Sequence, residues 1–539
     1  MHAHIVQWKR LLDDTLAALR PAKKQLAAFR TQWGKPGNRE GFLAERHFEL
    51  VGKQDDHALV DDKTWADLEF PQIFACMDTT VTLAGRQMLF HRLHQLDATP
   101  AEIEQRHATC QTLATDVSLR ESLQMTLWRV HKHMRSHLTD YLFGDMDDTP
   151  RHKGAWLAWS LACVAVFALA IYAHLPTWVW MGVLCVNFVL MLKTHWRVTR
   201  DNGAMTSCMA LLDTADAMAA LHKTHPDIPQ FRRLHERRSQ RARMRRALRW
   251  LGFVKREPIA WASIWLNVAC ALELLLHAFA IDRFFRLRDT VTADFEQVGD
   301  VDAAIAVASF MARYKACCRP ELTTDPDLVV VDGCHPLLPD GVTNSIRLEH
   351  RSALVTGSNM AGKTTFIKML GANVILARTF GFCLATRAVI PRVRVLASIQ
   401  GSHSVASGKS HYFAEVERIH SFFDAGDDGY RKLLVIDELF SGTNTTERVA
   451  IARSVLESLA RESIVLATTH DVELQTVLDA HFDYYHFRED PEVDGFFDYQ
   501  LRHGITRTRN AIRMLGEMGF PEPVIAHALT YATKATRMA

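Results

Sequence analysis

The sequence predicts an α/β domain built around a phosphate-binding loop in its C-terminal part. An all-α region precedes it, interrupted by an apolar two-helix hairpin. Three observations carry this reading. From Asp327 onward, short β-rich runs ("LVVV", "SALVTG", "KLLVID", "SIVLATT") alternate with helical stretches, the layout of an α/β fold. "GSNMAGKTT", opening at Gly357, has the glycine spacing of a loop that cradles phosphates. Two long uncharged runs stand back to back between residues 155 and 192.

The bulk properties set the frame. At 539 residues the chain has room for two to four domains. A net charge of +2 gives no global signal for nucleic acid, although a local basic patch would suffice for contact. The ten cysteines form no CxxC pair, and Met1 to Arg10 is not an apolar run. Free thiols in a reducing compartment and no cleavable export sequence are therefore expected.

The N-terminal region, residues 1–150, reads as helices. "LLDDTLAALRPAKKQLAAF" has helical spacing broken at Pro21, and "TTVTLAGRQMLFHRLHQL" and "AEIEQRHATCQTLATDVSLRESLQMTL" are further amphipathic candidates. Within residues 151–195, "AWLAWSLACVAVFALAIYA" (155–173) and "LPTWVWMGVLCVNFVLML" (175–192) are each long enough to cross ~30 Å of hydrocarbon. Trp156, Trp159, Trp178 and Trp180 lie near their ends, where indoles favour the headgroup zone. Arg151 and Lys153 precede the hairpin, and Lys193, Arg197 and Arg200 follow it, so both flanks are expected on the cytoplasmic face of an inner or plasma membrane. The alternative is a hairpin buried in a globular core, where two such runs rarely occur together. A third apolar stretch, Ile259 to Ile281, contains Asn267, Glu273 and His277. A mid-bilayer carboxylate is costly, and one more span would put the two parts of the chain on opposite sides. It reads as a buried soluble helix, with contact to lipid as the alternative.

Between them, "FRRLHERRSQRARMRRALRW" holds nine arginines. Arg237, Arg241 and Arg245 share one helical face, and Arg238, Arg246 and Arg249 another. A basic helix of this kind serves either anionic lipid headgroups or the phosphates of DNA, and the sequence leaves both open.

The chemistry is written in the α/β part. Gly357 and Gly362 let backbone amides curl around phosphate, Lys363 reaches β- and γ-phosphate oxygens, and the Thr364 hydroxyl is placed to ligate Mg²⁺. "KLLVIDELFSGTN" ends a hydrophobic strand in Asp437, suited to hold Mg²⁺, and Glu438, suited to polarise the attacking water. "SIVLATTHD" ends another at His470, positioned to sense the γ-phosphate region.

These motifs resemble the ATPase domain of the MutS family of DNA mismatch-repair proteins. "VTGSNMAGKTTFIKMLGANVILARTFGF" is similar to its phosphate loop, the Asn359–Met360 pair being a marker of that family. "VASGKSHYFAEVERI" resembles the signature loop, with Ser410 at the serine that reaches across a dimer to the partner's γ-phosphate. "DELFSGTNTTE" and "ATTHD" resemble the Walker B segment and switch histidine, and "CHPLLPDGVTNSI" (His335, Asn344) the entry into the domain. "DTTVTLAGRQMLFHRL" and "GDVDAAIAVASFMAR" are similar to two parts of the helical core, and "ITRTRNAIRMLGEMGFPEPVIAHA" to the helical tail that packs on the partner.

The resemblance implies a P-loop ATPase domain of the ABC/MutS type over residues 321–539. A core-like region over 1–150 and a lever and core return over 196–320 would flank the hairpin. It implies ATP and Mg²⁺ as ligands, held by Gly357, Ser358, Asn359, Met360, Ala361, Gly362, Lys363, Thr364 and Thr365, with Ser410 acting in trans in a homodimer. It also implies DNA as a partner. Roughly sixty residues before the core-like helices are too few for the family's mismatch-reading domain, and the hairpin stands where the family has lever and clamp helices. The expectation is a short, membrane-anchored variant that couples ATP-driven closure to DNA. The alternative is a membrane-tethered switch acting on a protein partner.

Overall fold

The computed structural model describes residues 21–37, 43–51, 59–131, 137–144, 153–172, 176–254, 268–358, 361–399, 411–424, 430–440, 444–471, 473–478, 481–488, 497–505 and 519–538. The chain divides into two compact units. The first is residues 1–54, 75–92 and 108–312, and the second is 55–74, 93–107 and 313–539.

The first unit is helical. Helix α1 (Leu83–His94) carries the "LAGRQMLFHRLH" segment, and α2 (Val117–Val130) is capped by Asp116, whose carboxylate accepts from Leu119 N. Helices α3 (Lys153–Tyr172) and α4 (Thr177–Ala219) hold the two uncharged runs. Helix α5 (Arg238–Val254) is the arginine-rich element, followed by α6 (Leu272–Arg286) and α7 (Arg288–Met311).

The two core-like motifs meet here. Asp302 of α7 is fully buried, and its carboxylate accepts from the amides of Val81 and Thr82 (3.0 and 2.7 Å) and from the Thr82 hydroxyl (2.7 Å). The partner groups are amides at the start of α1, which a helix leaves without intrahelical acceptors. Arg92 of α1 pairs with Asp300 at 3.0 Å, and Arg86 with Asp78 at 2.7 Å.

Helix α4 changes character along its length. Its later part is amphipathic, with Ala204, Cys208, Leu211, Ala215 and Met218 all fully buried at helical spacing. Its first eighteen residues and α3 present apolar side chains outward instead. Only 11% of the α3 window and 6% of the α4 window is buried. Leu161, Val164, Leu169, Trp178, Phe188 and Leu192 are among the exposed groups. Among the described residues, then, these two helices are long, apolar and little covered by the rest of the chain.

The third apolar stretch departs from the continuous buried helix expected of it. Its residues 259–267 lie outside the described residues. The described part is a helical run at 268–270, a break at Ala271 (φ 50°) and then α6.

The second unit is the α/β domain. Its main sheet has six strands in the order β10-β9-β4-β8-β7-β6, where β4 is Ser352–Thr356, β6 Val393–Ser398, β7 Arg431–Asp437, β8 Ser463–Thr469, β9 Phe482–His486 and β10 Arg502–His503. All neighbours are parallel except β10 on β9. Strands β4 and β8 are buried along their whole length, which is why they read as unbroken apolar runs. A second sheet, β1-β5-β2-β3, comprises β1 (Glu321–Thr323), β2 (Leu328–Gly333), β3 (Asn344–Leu348) and β5 (Arg387–Pro391). The "LVVV" run therefore belongs to this smaller sheet. Helices α8 (Lys363–Phe380), α9 (His411–Asp424), α10 (Thr445–Ala460) and α11 (Glu522–Met538) complete the unit.

A short helix from before the hairpin, Asp62–Asp67, belongs to the same unit. Asp67 accepts from Ile399 N at 2.8 Å, and Thr64 Oγ1 accepts from Ala397 N at 2.9 Å. Arg418 of α9 reaches Asp61 at 3.1 Å.

Candidate nucleotide site

The chain leaves β4 at Thr356, turns through the phosphate loop and enters α8 at Lys363. Gly357 (φ 147°) and Gly362 (φ 101°) occupy backbone conformations that a Cβ disfavours, and at Gly357 that carbon would stand 2.9 Å from the Phe487 carbonyl. Lys363 is 4% exposed, and its ammonium donates to the carbonyls of Gly357 (2.8 Å) and Ser358 (2.9 Å). Burial lowers its pKa, opposed by the charges of Glu438 and Asp437.

Strand β7 delivers two carboxylates. Asp437 accepts from Thr364 Oγ1 at 2.8 Å through one oxygen and from Thr468 Oγ1 through the other. Glu438 sits at φ 46°, a strained value for a side chain with a Cβ, with its amide donating to Thr468 O at 3.2 Å. Its Oε1 is 4.0 Å from Lys363 Nζ and 3.7 Å from His470 Nδ1. His470 follows β8 and is half exposed. Its neighbour Asp471 is fixed by a two-point ion pair with Arg448 of α10, both contacts at 2.7 Å. Glu415 of α9 accepts from the Phe440 amide just past the carboxylates.

These groups border a cavity of about 680 Å³. One end carries Lys363, Thr364, Asp437 and Glu438. The other carries Leu338, Val342 and Tyr499, each about half exposed. Volume and lining both suit a ligand with a charged tail and a flat apolar head. Two further atoms on the cavity wall, Ser358 Oγ and His335 Nε2, are buried with no hydrogen-bond partner among the described residues. Burial drops the His335 pKa to about 4, so its imidazole is neutral. Magnesium favours oxygen ligands and keeps several of its waters, so a hydroxyl beside a carboxylate is the expected protein share. Thr364 and Asp437 are that pair.

The fold thus brings Gly357, Ser358, Ala361, Gly362, Lys363, Thr364, Thr365, Asp437, Glu438 and His470 into one neighbourhood. Asn359, Met360 and Ser410 lie outside the described residues. Sequence reasoning missed Thr468, Glu415 and the Arg448–Asp471 pair. Thr468 stood inside the quoted "ATTHD", but only its histidine was read.

The arginine helix requires a correction. Arg241 is fully buried, bonded to Asp216 at 2.7 Å and Asp294 at 3.2 Å. Arg245 pairs with Asp213 and Asp216, both at 2.8 Å, and Arg237 lies 3.9 Å from Asp294. A guanidinium buried against carboxylates is not offered to an external phosphate, so the face proposed for contact is the one turned inward. The outward face carries Arg238, Arg243 and Arg246.

Comparison with known proteins agrees with this geometry. Residues 353–536 match the profile of MutS domain V. The chain is 31% identical over 267 residues to a DNA mismatch repair protein MutS of Natronomonas pharaonis, covering 46% of this chain and 31% of the relative. It is 28% identical over 282 residues to that of Chlamydia pneumoniae (49% and 34%). It is 29% identical over 262 residues to a DNA mismatch repair protein MutS 2 of Halobacterium salinarum (46% and 30%). The chain spans about a third of the length of these relatives. The domain match and the alignments support a MutS-family relationship for the C-terminal part of the chain, an α/β domain of the P-loop ATPase type.

Proposed function

We propose that this chain is a MutS-related ATPase whose two copies close over ATP, working from a membrane. One observation carries the ATPase reading: Lys363 and Thr364 face Asp437 and Glu438 across a single cavity, with His470 beside Glu438. The triphosphate lies along the loop amides and the N-terminus of α8, where partial positive charge gathers. Lys363 turns from its loop carbonyls to the β- and γ-phosphates. Thr364 and Asp437 would hold magnesium, which would supply charge neutralisation at the phosphate oxygens. Glu438 orients the attacking water and takes its proton, and His470 reports on the γ-phosphate. Ser410 completes the partner's site, so ATP binds the closed dimer better than the open one, and that difference drives closure.

Lys363→Ala tests this. Loss of a charge-assisted contact of about 1.5–3 kcal/mol weakens Mg·ATP binding by roughly ten- to a hundredfold, read by titration calorimetry. Binding unchanged within about twofold would overturn the site.

The relatives' name points to DNA as the substrate of closure. Contact then falls to Arg238, Arg243 and Arg246. Replacing all three by Gln is expected to reduce the salt slope of DNA affinity by about three, whereas Arg241→Gln chiefly lowers stability. A second reading, a membrane-tethered switch on a protein partner, is favoured by the uncovered apolar faces of α3 and α4. In it both flanks of the hairpin lie on the cytoplasmic side. Protein that hydrolyses ATP in bilayers but binds no DNA at low salt selects this second reading.

A further inference from the structure

Inside the apolar part of α4 sits one buried amide. Asn187 is 2% exposed, and its Oδ1 accepts from the Trp159 indole of α3 at 2.8 Å. Its Nδ2 donates to the carbonyls of Val268 and Ala269 at 2.9 and 3.1 Å. These carbonyls lie at the break before α6, where Ala271 takes its left-handed φ. Ala271 and Leu274 then pack among Trp156, Trp159 and Leu190. Asn187 lies seven residues before Thr194, the end of the apolar window, which is about 10 Å along a helix. The turn at 268–271 is therefore level with the interior of the hairpin.

Two constraints define what this segment can be. The second unit contains residues 55–74 and 93–107 from before the hairpin and 313–539 from after it. Any membrane crossings between residues 107 and 313 must be even in number, and α3 and α4 supply two. A third complete crossing is excluded. Broken backbone at membrane depth also needs its polar groups satisfied. An amide with two N–H donors, aimed at two carbonyls, meets that need.

We propose that residues 268–281 form a re-entrant membrane element: its turn reaches the hydrocarbon beside α3 and α4, capped by Asn187, and α6 returns to the side of entry. The inference rests on the membrane reading above and adds lipid acyl chains as the partner of this segment. Asp282, Arg283 and Arg286 follow where α6 has risen about 16 to 22 Å from Ala271, at and beyond the level of an interface.

The test uses full-length protein in phosphatidylcholine vesicles whose acyl chains carry a photoactivatable diazirine, with adducts mapped by mass spectrometry. Labelling of α3, α4 and 268–281, each at least fivefold above α7 and α8, is the expected result. Labelled α3 and α4 with 268–281 at the α7 level would overturn this proposal and leave the anchor standing. Unlabelled α3 and α4 would remove the membrane reading itself. Asn187→Leu is expected to speed amide exchange over 268–276 by about tenfold; unchanged exchange would overturn the capping role. Should that variant fail to fold, the adduct map of the native protein still decides.

Discussion

Glu438→Ala is expected to lower ATP turnover by about two to four orders of magnitude, the usual contribution of a positioned general base. Affinity for Mg·ATP should change by no more than about threefold, because the loop, Lys363 and Thr364 remain. The carboxylate lies 4.0 Å from Lys363, so its removal also frees that ammonium for phosphate. Binding without hydrolysis should hold two copies together, visible as an ATP-dependent dimer in light scattering. Glu438→Gln serves as a companion, since it preserves the shape of a residue held at φ 46°. Turnover within about tenfold of the native rate in both variants would assign the water to another base, and a variant that stays monomeric with ATP would contradict the sandwich.

Asp302→Ala is expected to destabilise the helical unit by about 3–5 kcal/mol, measured by urea unfolding. The substitution leaves the Val81 and Thr82 amides and the Thr82 hydroxyl buried without acceptors, and each such loss costs about 1–3 kcal/mol. There is a pH signature as well. Burial raises the Asp302 pKa from 3.8 to about 6, so the folded state holds this proton more tightly than the unfolded chain. Stability contributed by this group therefore falls as pH rises from about 4 to about 6, and the alanine variant should lose that slope. A loss under about 1 kcal/mol would show that water or a rearranged α1 replaces the carboxylate.

What the sequence made legible was local. The phosphate loop, the strand ending in Asp437 and Glu438, and the strand ending before His470 each carry their chemistry within a dozen residues. The apolar hairpin was legible from length and lack of charge. The rest depended on partners remote in the chain. Helical spacing put Arg237, Arg241 and Arg245 on one face, but nothing in that spacing named Asp213, Asp216 or Asp294 as what the face meets. The clamp from Glu415 to Phe440 was hidden for the same reason, as was the Thr468 contact to Asp437. The break at Ala271 escaped because alanine favours helix, and only the position of Asn187, eighty-four residues earlier, supplies what the broken turn requires.

The interleaved connectivity of the α/β unit has a consequence for biogenesis. Thr64 and Asp67 form hydrogen bonds to the backbone of residues 397 and 399, more than three hundred positions later. During translation the early segment must therefore wait, unpaired, until most of the polypeptide has left the ribosome. A fragment beginning at residue 313 would lack Trp65, Leu68 and Phe70, and would bare the apolar surface they cover. Such a truncation should demand chaperone assistance or precipitate, whereas supplying residues 55–107 as a separate peptide should improve its recovery.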